Sequence, residues 1–168
     1  MNSSVLAIIE PNLIHGIENH ISINIQKDSN VNRNYLLSLR KDNRLQADSR
    51  IVYIYSLDGE YFSYPREKSE IIYIGEACRS SEATGERFGQ HISTDSEHGG
   101  DFGSNYTLSY YYYSNKKLRL DIFCLRKDVN QKDVEKKLLQ WFVKTHCSQP
   151  IAQGTCGENY TINCLNNV

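Results

Sequence analysis

Apolar residues recur along this chain of 168 residues in distinct rhythms. The runs Ile51-Val52-Tyr53-Ile54-Tyr55 and Ile71-Ile72-Tyr73-Ile74-Gly75 are β-branched and aromatic, bounded by polar, turn-rich segments, and predict two strands. Asp58-Gly59 is a turn signal after the first, with Glu60 to Tyr64 as its expected hairpin partner. Two further β-propensity runs, Thr107 to Ser114 and Lys116 to Leu125, predict strands joined by a hairpin turn at Asn115. Between 128 and 146 the rhythm changes: Val134, Leu138, Leu139, Trp141, Phe142 and Val143 recur at helical spacing. Asp128 is the expected cap of that helix, Gln131 completes a capping box, and Pro150 ends it at the latest. Residues 80–93 read as a loop leading into a short helix, with Phe88 and Ile92 one turn apart. Gly85 and Gly89 weaken that helix by about 1 kcal/mol each relative to alanine.

Residues 1–48 have a different texture. Leu13 to Ile21 approaches a helical period, whereas Ile21-Ser22-Ile23-Asn24-Ile25 alternates like a strand. A polar loop follows over 27–34, then a short helix over 35–39. This part reads as an N-terminal extension that packs on the core or meets a partner, and residues 49–168 read as the main domain. The glycine-rich stretch 94–105 is a surface loop, and Tyr160-Thr161-Ile162 in the tail is a possible edge strand. Strands and helices in this order predict an α+β fold.

Composition narrows the class. Hydrophobic residues at 39% and charged residues at 23% describe an ordinary globular chain, and 168 residues suffice for one adequate core. A net charge of −1 carries no global signature of nucleic-acid binding, although a local basic face is enough for that purpose. No signal peptide is evident, and no stretch approaches the roughly 18 apolar residues of a membrane span. The expectation is a soluble, cytoplasmic protein with no membrane partner. The five cysteines include no C-x-x-C pair, which argues against a structural zinc site. Cys78 and Cys124 read as small core residues.

Twelve tyrosines against one tryptophan are unusual, and Tyr53 and Tyr73 each stand at the centre of a predicted strand. Adjacent antiparallel strands can bring two such hydroxyls to one face, and the same placement also serves ordinary cross-strand packing. Arg87 and His91 are four apart, so they share a helix face and can converge on one ligand. A guanidinium offers a planar fork of donors to a phosphate, and an imidazole moves protons near neutral pH. Glu135 has Leu138, Leu139 and Phe142 at i+3, i+4 and i+7, so it projects from the core-facing side of the late helix. A carboxylate there requires a cation, a metal or hydrogen bonds, unless it reaches water from the edge of the stripe. Lys116, Lys117, Arg119, Arg126 and Lys127 follow the tyrosine run and form a local basic stretch. Such a stretch either holds phosphates or keeps a sheet edge soluble.

Val52-Tyr53, then Tyr73-Ile74-Gly75, then Arg87-x-x-x-His91, then Glu135 on a late helix resembles the GIY-YIG nuclease superfamily in order and spacing, over roughly residues 50–153. Ile51 stands where that family usually has glycine. The resemblance implies a small antiparallel sheet flanked by helices that hydrolyses DNA phosphodiesters with one divalent metal, Mg²⁺ or Mn²⁺. It casts Glu135 as metal ligand, Arg87 as the holder of the scissile phosphate, Tyr53 as the base or its assistant, and Tyr73 and His91 as positioning groups. Lys116, Lys117 and Arg119 are the expected DNA contacts. Gln153, Asn159 and Asn163 are the alternatives for the family's late asparagine. The chain's size suggests a type II restriction endonuclease acting on double-stranded DNA, as a homodimer if the target is palindromic. The competing readings are a non-catalytic nucleic-acid-binding or interaction module and an antibacterial nuclease toxin.

Overall fold

The computed structural model describes residues 16–92 and 105–154. In chain order these form β1 (Ile17–Ile25), α1 (Arg33–Ser38), β2 (Ile51–Leu57), β3 (Phe62–Ser63), β4 (Lys68–Ser69), β5 (Ile71–Ala77), α2 (Arg87–His91), α3 (Tyr106–Tyr113), β6 (Leu118–Leu125) and α4 (Gln131–His146), with short 3₁₀ turns between some of them. The main sheet has the order β1-β6-β2-β5, and every neighbouring pair is antiparallel. The fold is α+β, as the pattern predicts.

Strand β2 is interior to the sheet, and all seven of its residues are buried. Its side chains alternate between two layers. Tyr53 and Tyr55 join Leu36, Phe88, Leu108 and Ile122 on one side, where α1, α2 and α3 pack. Val52 and Ile54 join Ile74, Phe123, Leu138 and Phe142 on the other, beneath α4. Fully burying one such aliphatic or aromatic side chain is worth about 1.5–3 kcal/mol.

Several expectations need correction. Residues 107–114 are not a strand: they form α3. The Asn105 side chain caps it by accepting from the Leu108 amide at 3.0 Å. Leu108 and Tyr112, one turn apart, face the core, and the Tyr112 hydroxyl accepts from the Arg33 amide at 3.0 Å. The β propensity of Tyr and Thr is a weak preference that capping and burial override here. Asn115, left-handed at φ 56°, does make a turn, but it closes a helix and does not link two strands. The Lys116 amide donates to Tyr111 and the Asn115 amide to Tyr112, which satisfies the last carbonyls. Residues 60–64 do not pair with β2 either. Phe62–Ser63 pairs with Lys68–Ser69 in a separate ribbon, and β5 takes the place beside β2.

The extension contributes β1, an outer strand paired with β6 over Ile17 to Ile25, so the strand reading of Ile21 to Ile25 holds and helix does not reach 17–25. Helix α4 starts later than expected, at Gln131. Asn130 is its cap, accepting from the Lys132 amide at 3.0 Å, while Asp128 pairs with Arg126 at 3.1 Å. Cys78 is exposed, which corrects its reading as a core residue, and Cys124 is buried. Among the described residues no helix is long and apolar enough to cross a membrane. The expected strand at Tyr160 to Ile162 and nearly all of the 94–105 loop lie outside the described residues.

Candidate active site

Tyr53 stands opposite Gly75 on β5 and Ile122 on β6. A Cβ at Gly75 would meet Tyr53 Cζ and Tyr73 Cε1 at 2.7 Å and the Tyr53 hydroxyl at 2.8 Å. The glycine of the Tyr-Ile-Gly run is therefore the seat on which two phenol rings rest. The Tyr53 hydroxyl lies 2.6 Å from His91 Nε2. The phenol donates along this contact when Nδ1 carries the ring proton. Tyr53 is fully buried and His91 is 3% exposed. Burial, then the charge of Arg87, lowers the His91 pKa to about 3, so the ring is neutral. Burial first, then the neighbouring Tyr73, pushes the Tyr53 phenol well above its ordinary value, while Arg87 pulls the other way.

Tyr73 is half-buried beside this pair, with ring centroids 5.9 Å from Tyr53 and 5.2 Å from His91. Tyr55, which no motif singles out, completes the cluster. Its ring centroid is 6.1 Å from that of His91, and its hydroxyl donates to the Phe88 carbonyl at 3.3 Å, tying β2 to α2. Only the period-2 alternation with Tyr53 could have signalled it. Helix α2 reaches this depth because of glycines that looked merely destabilising. A Cβ at Gly89 would fall on the Leu37 side chain, and one at Gly85 on the Leu39 carbonyl. His91 is thus a buried partner of Tyr53 and not a solvated residue on an open helix face.

Glu135 reaches β5 from the opposite layer. Along β5, Tyr73 and Gly75 point to the phenol cluster, and Ile74 and Glu76 to α4. The Glu76 backbone and carboxylate both act electrostatically on the Glu135 carboxyl group. One residue pair earlier, the Ile74 amide donates to Gln153 Oε1 at 3.2 Å, and the Ala152 amide donates to the Ile72 carbonyl at 2.8 Å. Gln153 therefore closes an outward amide of the edge strand β5 and Glu135 stands near Glu76 on the same strand, with the phenol cluster just across it. Of the three alternatives for a late amide residue, Gln153 stands beside the Glu135 contact, and Asn159 and Asn163 lie outside the described residues.

Partial burial, then the nearby Glu76 carboxylate, raises the Glu135 pKa to about 7, against the smaller opposing effects of the Glu76 amide and Lys132. The charges acting on it are thus Glu76 and Lys132, while Arg87 acts on Tyr53, Tyr55 and His91. Two neighbouring acids, one of them held near neutrality, suit a divalent cation. Among the described residues no three His, Cys, Asp or Glu side chains gather as a cage. That donor set fits Mg²⁺, which keeps several waters and takes one or two carboxylates together with substrate phosphate oxygens.

Of the three basic residues expected to contact DNA, two are engaged by acids. Arg119 is held by Glu70 at 3.0 Å, Asp121 at 3.1 Å and Asp58 at 3.6 Å, on the α4 side of the sheet. Lys116 pairs with Glu60 at 2.8 Å, and Lys117 is exposed. A cleft of about 270 Å³ lined by Arg44, Asp48, Arg50 and Lys127 contains none of the five candidate catalytic residues. Comparison with known proteins returned no matching family model, curated protein or solved structure.

Proposed function

We propose that this chain is a metal-dependent endonuclease that hydrolyses DNA phosphodiester bonds at the β5 edge. The carrying observation is the 2.6 Å contact between Tyr53 and His91, a buried phenol and imidazole, beside Arg87 and across one strand from Glu135. Arg87 holds the scissile phosphate through paired donors. Tyr53 is fully buried and Tyr73 is not, so Tyr73 meets the attacking water and Tyr53 relays from behind it. As water attacks phosphorus, its proton passes to Tyr73, that of Tyr73 to Tyr53, and that of Tyr53 to His91 Nε2. Burial depresses His91 first and the Arg87 charge second; substrate phosphate offsets the second, so the imidazole becomes more basic once substrate is bound. Glu135 would hold Mg²⁺ or Mn²⁺, and the ion's contribution is to stabilise negative charge on the leaving oxygen. Gln153 fixes the strand edge. A restriction-type enzyme cutting a palindrome as a homodimer is the form this reading takes at its most specific.

Burial of Tyr53 and His91 also favours a second reading, a nucleic-acid-binding module that retains the scaffold without turnover. Plasmid cleavage in Mg²⁺ separates the two. The nuclease converts supercoiled DNA to nicked or linear forms, and Glu135→Ala and Arg87→Ala abolish this with the fold retained. The binding module retains DNA with no conversion by the parent protein in Mg²⁺ or Mn²⁺, and Glu135→Ala leaves that retention intact.

A further inference from the structure

Helix α3 packs through Leu108, Ser109 and Tyr112 and leaves Tyr106 70% and Tyr110 66% exposed. These are the most exposed large apolar side chains among the described residues. Four positions apart, they lie on one helix face, about 6 Å apart along the axis. That is close to the roughly 7 Å of two stacked base steps. The helix carries no charged residue. Cations stand at its flank instead: Lys27 lies 5.7 Å over the Tyr113 ring, Lys117 is exposed, and Lys116, near Tyr110 and Tyr111, is paired with Glu60 at 2.8 Å.

This face begins at the candidate site. The Asn105 amide donates to the His91 carbonyl at 2.9 Å, and its side chain donates to the Ala152 carbonyl at 2.6 Å. One residue therefore joins the start of α3 to both the imidazole segment and the segment carrying Gln153. Asn105 stands at the end of α3 joined to the candidate site and the flanking cations at the other end, so the exposed rings lie between them along the helix.

We propose that Tyr106 and Tyr110 form a stacking platform for unpaired bases of the nucleic acid cleaved at this site. The identity of the polymer rests on the nuclease reading. Tyrosine faces stack on any base, and alanine substitution removes that contact. An intact duplex hides its base faces, so the platform requires that bases beside the scissile bond be extruded from the duplex being cut, and DNA already unpaired there binds most readily.

The test uses full-length protein carrying Glu135→Gln, so that substrate is not consumed, and fluorescence anisotropy with three labelled DNAs: a single strand, a duplex with an internal bubble, and a fully paired duplex. The single strand and bubble bind about tenfold tighter than the paired duplex. Tyr106→Ala and Tyr110→Ala each weaken that binding by about tenfold, and phenylalanine at both positions restores it. Equal affinity in folded alanine variants overturns the platform. So does a phenylalanine variant no better than alanine, or an alanine variant whose only change is in oligomeric state. Cleavage by the parent protein judges the nuclease reading separately. If it cuts while the variants bind normally, only the platform falls. If it binds in the expected pattern but never cuts, only the nuclease reading falls.

Discussion

The two layers of the sheet differ in what the central strand feeds into them. Beneath α4 lie Val52, Ile54, Ile74, Phe123, Leu138 and Phe142, and their contribution is apolar burial. On the other side the same central strand supplies Tyr53 and Tyr55, and α2 adds His91, so phenols and an imidazole sit where leucines would serve stability better. Buried polar groups are destabilising unless hydrogen-bonded, and here Tyr53 satisfies His91 while Tyr55 satisfies the Phe88 carbonyl. The contrast separates a layer whose central-strand side chains are apolar from one whose central-strand side chains carry polar tips, and under the proposed function the second is where the chemistry lies. Strand β5, with Tyr73 facing one way and Glu76 the other, is where they meet.

Truncating the cohesive layer should produce the largest loss of stability and leave the chemistry of the folded fraction unchanged. Phe142→Ala removes a fully buried ring 5.0 Å from Tyr64 and 4.3 Å from His146, and should lower unfolding free energy by about 3–5 kcal/mol in denaturant melts. Gly75→Ala attacks the junction. Its methyl group has no room between Tyr53 and Tyr73, so stability should drop by about 1–3 kcal/mol and cleavage should fall with it. Tyr53→Phe should reverse the pattern of Phe142→Ala. Leaving His91 without its partner should lower stability by about 1–2 kcal/mol, while the cleavage rate per folded molecule drops by about a hundredfold or more.

The remaining effects are in pH. His91 is depressed from 6.5 to about 3, so the stability it confers is lost as pH falls from 6.5 towards 3, and His91→Gln should flatten that limb. Glu135 is raised from 4.5 to about 7, so the folded state holds its proton more tightly. That contribution is present below 4.5 and lost as pH rises through 7. Metal-free Glu135→Gln should therefore melt above the parent protein at pH values past 7, with Mg²⁺ narrowing the gap. Melting curves across pH with and without chelator check both limbs.

Much of the cohesive layer is legible in local pattern. The spacing of Val134, Leu138, Leu139 and Phe142 gives α4 and the inward direction of Glu135, and period-2 runs give β2 and β5. The rest depends on contacts remote in sequence. Pairing of β1 with β6 joins residues as distant as His20 and Asp121. No local rule ranks that pairing above the helical reading of the same segment. Helix α3 is hidden because four successive tyrosines favour a strand, and only the Asn105 cap and the packing of Leu108 and Tyr112 decide otherwise. The depth of His91 is invisible until Gly89 is seen to let α2 settle on Leu37. Arg119 looks free in sequence and is engaged by Glu70, Asp121 and Asp58 in the fold.

The most direct test is single-turnover cleavage of DNA by the parent protein as a function of pH at a low and a high Mg²⁺ concentration. The expected result is a rate that rises through an apparent pKa near 7 at low Mg²⁺, with the midpoint moving down as Mg²⁺ increases and competes with the proton on Glu135. Absence of cleavage, or a midpoint indifferent to Mg²⁺, would contradict a site built around that carboxylate.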